Sequence, residues 1–207
     1  MSSIIKVDTI QNQSGANIIS ESSNTITVGA SGDTINFGGN VGTISGQNYP
    51  AFYAKLSSNQ VISAETLTKV AVNSELFDSD GCYNNTGSTT TLNGISVPSY
   101  SFAPNVSGKY FIFGSISLNP SGSDNVYRVI MKFLKNDGAI SNSDHCANSS
   151  TFHSTFTVYQ GIIADLNGTS DYVHMEAFLH PQGTPEIRIV GDSTESRTWF
   201  GAYRLGD

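Results

Sequence analysis

His145, Cys146 and His153 make the densest group of soft metal-ligating side chains in the chain. A structural zinc ion needs four such ligands in paired spacing, and this spacing matches no zinc pattern, so no metal is expected. Carboxylates could instead work in pairs across a glycosidic bond, one as acid and one as base or nucleophile. The candidates are Asp78 with Asp80, Asp165 with Asp171, and Glu186 with Asp192 and Glu195. All lie in or beside turns, where aspartate ordinarily completes local backbone hydrogen bonding. Asp78-Ser79-Asp80-Gly81 starts like a calcium loop but lacks the remaining ligands. Phosphate-binding loop, zinc-protease helix and nucleophile-elbow motifs do not occur. We therefore expect no catalytic residue and no cofactor, and a protein that is not an enzyme.

Composition narrows the classes further. Of 207 residues, 38% are apolar and only 13% charged, with Ser, Thr, Asn and Gly filling the difference. The net charge is -7, and the ten Lys plus Arg are scattered singly. Sequence-independent nucleic-acid binding needs clustered positive charge to displace counterions, and a membrane-surface anchor needs a polybasic run; neither partner is expected. No stretch approaches the roughly 18 apolar residues of a membrane-spanning helix. The start, "MSSIIKVDTIQNQSG", lacks the basic region and apolar core of a signal peptide. Synthesis in a cytoplasm, with release by a route such as lysis, is the corresponding expectation. In that reducing setting Cys82 and Cys146 read as ordinary thiols. The Asn-x-Ser/Thr sequences at Asn84, Asn105, Asn148 and Asn167 read as surface loops.

With no chemistry converging, the elements that could present a surface become the informative part. Residues 1–23 alternate around Ile4, Lys6, Val7, Asp8 and Ile10, as a short strand does, and cannot bury Ile4, Ile5, Val7 and Ile10 alone. They read as a docking segment. Residues 24–49 repeat themselves: "TITVGASGD", "TINFGGNVG" and "TISGQNY" place Ile26, Ile35 and Ile44 nine residues apart, with Val28 and Phe37 two residues on. Alternation puts each pair on one strand face, with Gly29 and Gly38 at turns. One chain cannot cover such a ladder, whereas symmetric copies can, so a trimeric neck is expected rather than a flexible linker. Residues 50–207 hold nearly all the aromatics in short apolar runs, among them "GKYFIFGSISL", "VYRVIMKFLKN", "STFTVYQGIIADL", "EIRIVGD" and "RTWFGAYRLGD". Turn signals separate them, with Asn136-Asp137-Gly138 the best hairpin candidate. An antiparallel sandwich follows.

Several of these runs, taken in order, resemble the globular head of complement component 1q and its TNF-like relatives. "KVAVNSELFDSDGCYN" is similar to the family's early strand. "FAPNVSGKYFIF", with Phe102, Gly108 and Tyr110, resembles its most diagnostic segment; Ile112 stands where the family usually has Phe, and residues 86–99 make a long loop. "VIMKFLKNDG", "GIIADLNGTSDYVHMEAF" and "RTWFGAYRL" resemble the later strands, the last implying that Trp199 and its neighbours lie in the core. The resemblance implies a ten-strand jelly roll assembled as a tight homotrimer. The opening "SIIKVDTIQNQSGANII" resembles tail-fibre-like proteins of marine bacteriophages.

The expected whole is an all-β virion protein: a β anchor in residues 1–23, a β-repeat neck in 24–49 and a jelly-roll head in 50–207. It would join other virion proteins through its N-terminus and a host surface glycan or protein through its head. Antiparallel topology sends residues 118–125, 144–153 and 181–197 to the end away from the neck, nominating Asn119, Ser121, Asp124, His145, His153, Gln182, Glu186, Asp192, Glu195 and Arg197 for recognition. The alternative is a capsid or tail decoration with a mainly structural role.

Overall fold

Apolar residues recurring at every second position between Gly, Asn and Pro turns make strands the dominant element. In this computed structural model they are the only regular elements among the described residues, which are 9–11, 13–15, 17–22, 25–28, 50–120, 126–146 and 155–206. The chain divides into two compact units, Met1–Gln47 and Asn48–Asp207.

The first unit contains β1 (Thr9–Gln11), β2 (Asn17–Ser22) and β3 (Thr25–Val28), hydrogen-bonded as an antiparallel meander in that order. Ile10 lies opposite Ile19, and Ile19 opposite Val28. Directly opposed residues share a face, so these three form one apolar row, and all three are exposed. They are also nine residues apart; the period read from residue 25 onward therefore extends back to Ile10. Ile26 lies in β3 opposite Glu21. Of the residues assigned to anchor and neck, Ile4, Ile5, Val7, Ile35, Phe37 and Ile44 lie outside the described residues.

The second unit carries β4 (Ala51–Lys55), β5 (Gln60–Ile62), β6 (Thr68–Lys69), β7 (Ser74–Asp78), β8 (Tyr83–Asn84), β9 (Thr90–Leu92), β10 (Ile95–Val97) and β11 (Ser101–Phe102). Beyond them come β12 (Gly108–Pro120), β13 (Val126–Lys135), β14 (Gly138–Ala139), β15 (Ser143–Cys146), β16 (Phe156–Leu166), β17 (Val173–Pro181), β18 (Ile187–Ile189) and β19 (Trp199–Gly206). In the front sheet β12 is central. β16 pairs along one edge, β19 and β18 follow each other along the other, and β4, β5 and β7 lie beyond. In the back sheet β13 pairs with β17, flanked by β14 and β15 on one side and by β6, β11 and β8 on the other. The long strands alternate between layers: β12 front, β13 back, β16 front, β17 back, β19 front. That crossing pattern, with antiparallel pairing throughout, is a jelly roll.

Alternation explains the core. Tyr110, Ile112, Ile116 and Leu118 of β12 point inward and meet Val129, Met131 and Phe133 of β13 and Val173, Met175, Ala177 and Leu179 of β17, all buried. Phe52 stacks on Tyr83 and Phe102, at ring-centroid distances of 4.3 and 4.7 Å, and meets Phe200 edge-on at 4.9 Å. The Asn136-Asp137 turn is a tight hairpin: both residues have positive φ, 50° and 63°, and Lys135 lies opposite Gly138.

Four expectations need correcting. Asn84 is not in a surface loop: it is buried in β8, where its Nδ2 donates to the Val97 carbonyl at 3.0 Å. Residues 86–99 contain a hairpin rather than only a loop: β9 pairs β10 across Asn93-Gly94, and Ile95 and Val97 bury themselves with Leu92, Ala103 and Tyr172. Trp199 is not in the core. It takes the outward parity of β19, whereas Phe200 takes the buried one. The interval 181–197 is not one open loop, because Ile187 and Ile189 pair with β12 and β5 and are buried.

Candidate interaction surfaces

The outward face of the front sheet follows from the same parity. Since Tyr110 and Ile112 face the core, Phe111 and Phe113 must face out. Cross-strand register then lines up Phe77, Tyr53, Gly201, Phe113 and Gly161 in one row from β7 to β16. The next row aligns Ala51, Tyr203, Phe111 and Ile163, and the row on the other side aligns Lys55, Trp199, Ser115 and Tyr159. Rings touch across the rows: Phe111 to Phe113 at 5.4 Å, Phe111 to Tyr203 at 5.6 Å, Trp199 to Tyr53 and to Phe113 at 5.7 Å each.

Two glycines make room for this layer. A Cβ on Gly201 would lie 2.7 Å from the Phe113 ring, and one on Gly161 2.6 Å from the Phe111 ring. The rings therefore lie flat over bare backbone. Tyr159 remains 77% exposed, Ile163 62%, Phe77 52% and Tyr203 44%. Exposed large side chains are ordinary when scattered; a contiguous patch on one sheet face marks an interface. Lys109 and Asp165 close one end of the patch with an exposed ion pair at 2.7 Å. At the other end Thr157 Oγ1 donates to Ser117 Oγ at 3.2 Å. The face was not nominated from the sequence, although two phenylalanines at outward parity in "YFIF" signal it.

The nominated recognition residues fall at one end of the sandwich where they are described. Asn119 lies opposite Arg188, Val126 opposite Pro181, Arg128 opposite Cys146 and Ser115 opposite Trp199, so the connections beside them share that end. The chain enters β4 at the opposite end, where Arg204 N–H donates to the Pro50 carbonyl at 3.2 Å. Ser121, Asp124 and His153 lie outside the described residues. Asn119 Nδ2 donates to Thr155 Oγ1 at 2.9 Å. His145 is exposed in β15 and packs beside the Phe156 ring at 5.7 Å. Gln182 is exposed after β17.

The charged members are tied up locally. Asp192 Oδ1 accepts from Thr194 Oγ1, Thr194 N–H and Glu195 N–H, and these donors pull its carboxyl down to about 2. Glu195 pairs with Arg197 at 3.0 Å and Glu186 with Arg188 at 2.6 Å. Asp192 is thus a turn-forming residue.

The carboxylates considered for acid–base work are likewise engaged. Asp78 accepts from Tyr83 N–H at 2.8 Å and Asp80 N–H at 3.3 Å, as a turn-forming carboxylate does. Asp171 is buried: it accepts from Asn136 Nδ2 and Asn167 N–H and pairs with Lys135 at 2.8 Å. Burial pushes its carboxyl up, but Lys135, Asn136 and Asn167 outweigh this and hold it below the ordinary range. Among the described residues no group of three or more His, Cys, Asp or Glu could hold a metal ion. Cys82 is buried, and that burial raises its thiol to about 11, while Cys146 is exposed; both are free.

No family model matches the chain, and no curated protein does. Solved structures similar to it include Eiger TNF from S. frugiperda, at TM-score 0.44 and 10% identity over 77% of this chain and 92% of that one. Murine APRIL at pH 5.0 is similar at TM-score 0.46 and 9% identity, over 76% of this chain and 100% of that one. The same protein at pH 8.0 gives 0.46 and 8%, with the same coverage. The jelly-roll assignment itself stands on the strand order and registers.

Proposed function

We propose that the protein is a non-enzymatic homotrimeric attachment protein of the tail-fibre kind. Its heads associate through the aromatic face of the front sheet, its N-terminal segment docks on a virus particle, and the loops remote from Pro50 meet a host surface glycan or protein. The observation that carries the reading is the contiguous row system of Phe77, Tyr53, Phe113, Phe111, Tyr203, Trp199, Tyr159 and Ile163. Such a face is costly in water and is relieved when copies close around an axis. Three copies are the number implied by the sequence resemblance and suited to the uncovered Ile10–Ile19–Val28 row. Threefold display multiplies weak single-site binding through effective concentration.

Mass measurement of the full chain in native buffer tests the assembly: a particle of three times the 22.0 kDa chain mass is expected, and a monomer at micromolar concentration defeats the reading. Adsorption of particles carrying Gln182→Ala with Arg197→Ala tests the recognition end separately. A second reading, a structural decoration of capsid or tail, is favoured by the local pairing of Glu186, Asp192 and Glu195, which leaves little free charge for a ligand. Electron microscopy of particles labelled on this protein separates the two, since a fibre projects and a decoration follows capsid symmetry.

A further inference from the structure

Ser117 is where the chain leaves the front sheet after β18 and where it returns before β19. Its carbonyl accepts from Val190 N–H at 2.7 Å, and its N–H donates to Thr198 Oγ1 at 3.1 Å. Residues 190–198 are therefore an excursion with both feet on one residue of β12, as in a compact surface loop whose ends lie together. Its first half is tied to the β4–β5 connection. Gly191 N–H donates to Asn59 Oδ1 at 3.1 Å, Asp192 N–H to the Leu56 carbonyl at 3.0 Å, and Lys55 Nζ to the Ser193 carbonyl at 2.7 Å. Gly191 lies so close to Ser58 that a Cβ would sit 2.2 Å from its carbonyl oxygen.

Lys55 is the last of these ties. Residues 193–197 are exposed, and past Ser193 the bonds turn inward on the tip: Thr194 and Glu195 N–H donate to Asp192, and Arg197 pairs with Glu195. Lys55 shares the outward parity of Tyr53 and lies opposite Trp199, yet it is only 8% exposed. Lysine is seldom buried to this degree, because its ammonium must stay solvated or bonded. An apolar side chain would fill the same place without that cost, so the amine is there for the carbonyl it holds.

We propose that Lys55 is the positioning residue of the recognition end. It fixes the tip 193–197 in one conformation before a partner arrives, so that binding does not bear the cost of ordering it. The proposal rests on the reading that this end meets the host surface, and it adds that a residue beneath the loop sets the strength of that contact.

The test uses the full chain and particles that carry it. Lys55→Met keeps the stem and removes the ammonium. Amide exchange at Gly191 and Asp192 is then expected to accelerate about tenfold, the worth of one hydrogen bond to a charged group. Exchange at Ile112 and Met175 in the core strands is expected to keep its parental rate. Parental rates at Gly191 and Asp192 overturn the proposal, and so does an equal acceleration at Ile112 and Met175. Should the variant not fold, the parent decides: the Lys55 ammonium protons are expected to exchange slowly enough to give an NMR signal, unlike those of exposed Lys109, and a missing signal overturns the pin. Particles carrying Lys55→Met are expected to adsorb as weakly as those carrying Gln182→Ala with Arg197→Ala. Parental adsorption by Lys55→Met alone overturns the positioning role. Parental adsorption by both removes recognition from this end, and the positioning role falls with it.

Discussion

Ile163→Asp separates assembly from folding. Ile163 lies in β16 opposite Phe111, on the outward face, and is 62% exposed in the single chain. Folding therefore already buries the smaller part of the side chain, and an exposed substitution changes chain stability by no more than about 0.5 kcal/mol. Full burial of an isoleucine is worth about 1.5–3 kcal/mol, so covering the exposed fraction recovers about 1–2 kcal/mol per copy. A closed trimer repeats the site three times, giving about 3–6 kcal/mol and two to four orders of magnitude in the association constant. Burying a carboxylate adds to this. Sedimentation at micromolar concentration is expected to give a trimer for the parent and a monomer for the variant, with matching circular dichroism and a lower urea midpoint for the variant, since assembly stabilises the parent's folded chains. A variant that remains trimeric, or a parent that is already monomeric, refutes the assignment of this face.

Gly168→Ala should lower stability by more than about 1–2 kcal/mol from left-handed backbone strain alone, because φ is +70° and the new Cβ would sit 2.4 Å from Ser107 N; urea unfolding reads this out. Asp171, held below its ordinary value, contributes stability that is complete above pH about 3.9 and lost as pH falls through its lower folded value. Asp171→Ala should therefore cost about 1.5–3 kcal/mol at pH 7, and the cost should shrink as the pH is lowered through the folded value, as a pH series of denaturation curves would show. Gln182→Ala with Arg197→Ala should leave the oligomer mass unchanged and reduce adsorption to host cells; adsorption at the parental level removes that end from recognition. Excising residues 182–196 is the wrong experiment, since it deletes the buried Ile187 and Ile189 and should destabilise the head itself.

Local chemistry was the legible part. Asn136-Asp137 announces its hairpin because both residues tolerate the positive φ that the turn demands. Asn93-Gly94 carries an equally strong signal between "TTL" and "ISV", and attention to it would have turned the long 86–99 loop into β9 and β10. "EIRIVGD" was read as an apolar run and yet left inside the supposed recognition loop 181–197, because nothing in the sequence shows that this run pairs with β12 and β5. Trp199 was placed in the core on the resemblance of its strand, which does not reveal which side chains that strand buries; parity against its buried neighbour Phe200 does. The aromatic face was not readable as a whole. Its members come from β4, β7, β12, β16 and β19, and only cross-strand register brings them into rows.

The row of Ile10, Ile19 and Val28 has a consequence for how such a chain can change length. From β1 to β3 every nine residues supply one strand and one rung, advancing the sheet by about 4.8 Å. Duplicating a whole block lengthens the sheet and keeps every rung on the same side. Adding a single residue within a strand throws all later side chains to the opposite face. The segment therefore behaves as a graduated rule, tolerant of steps in its own unit and intolerant of any other.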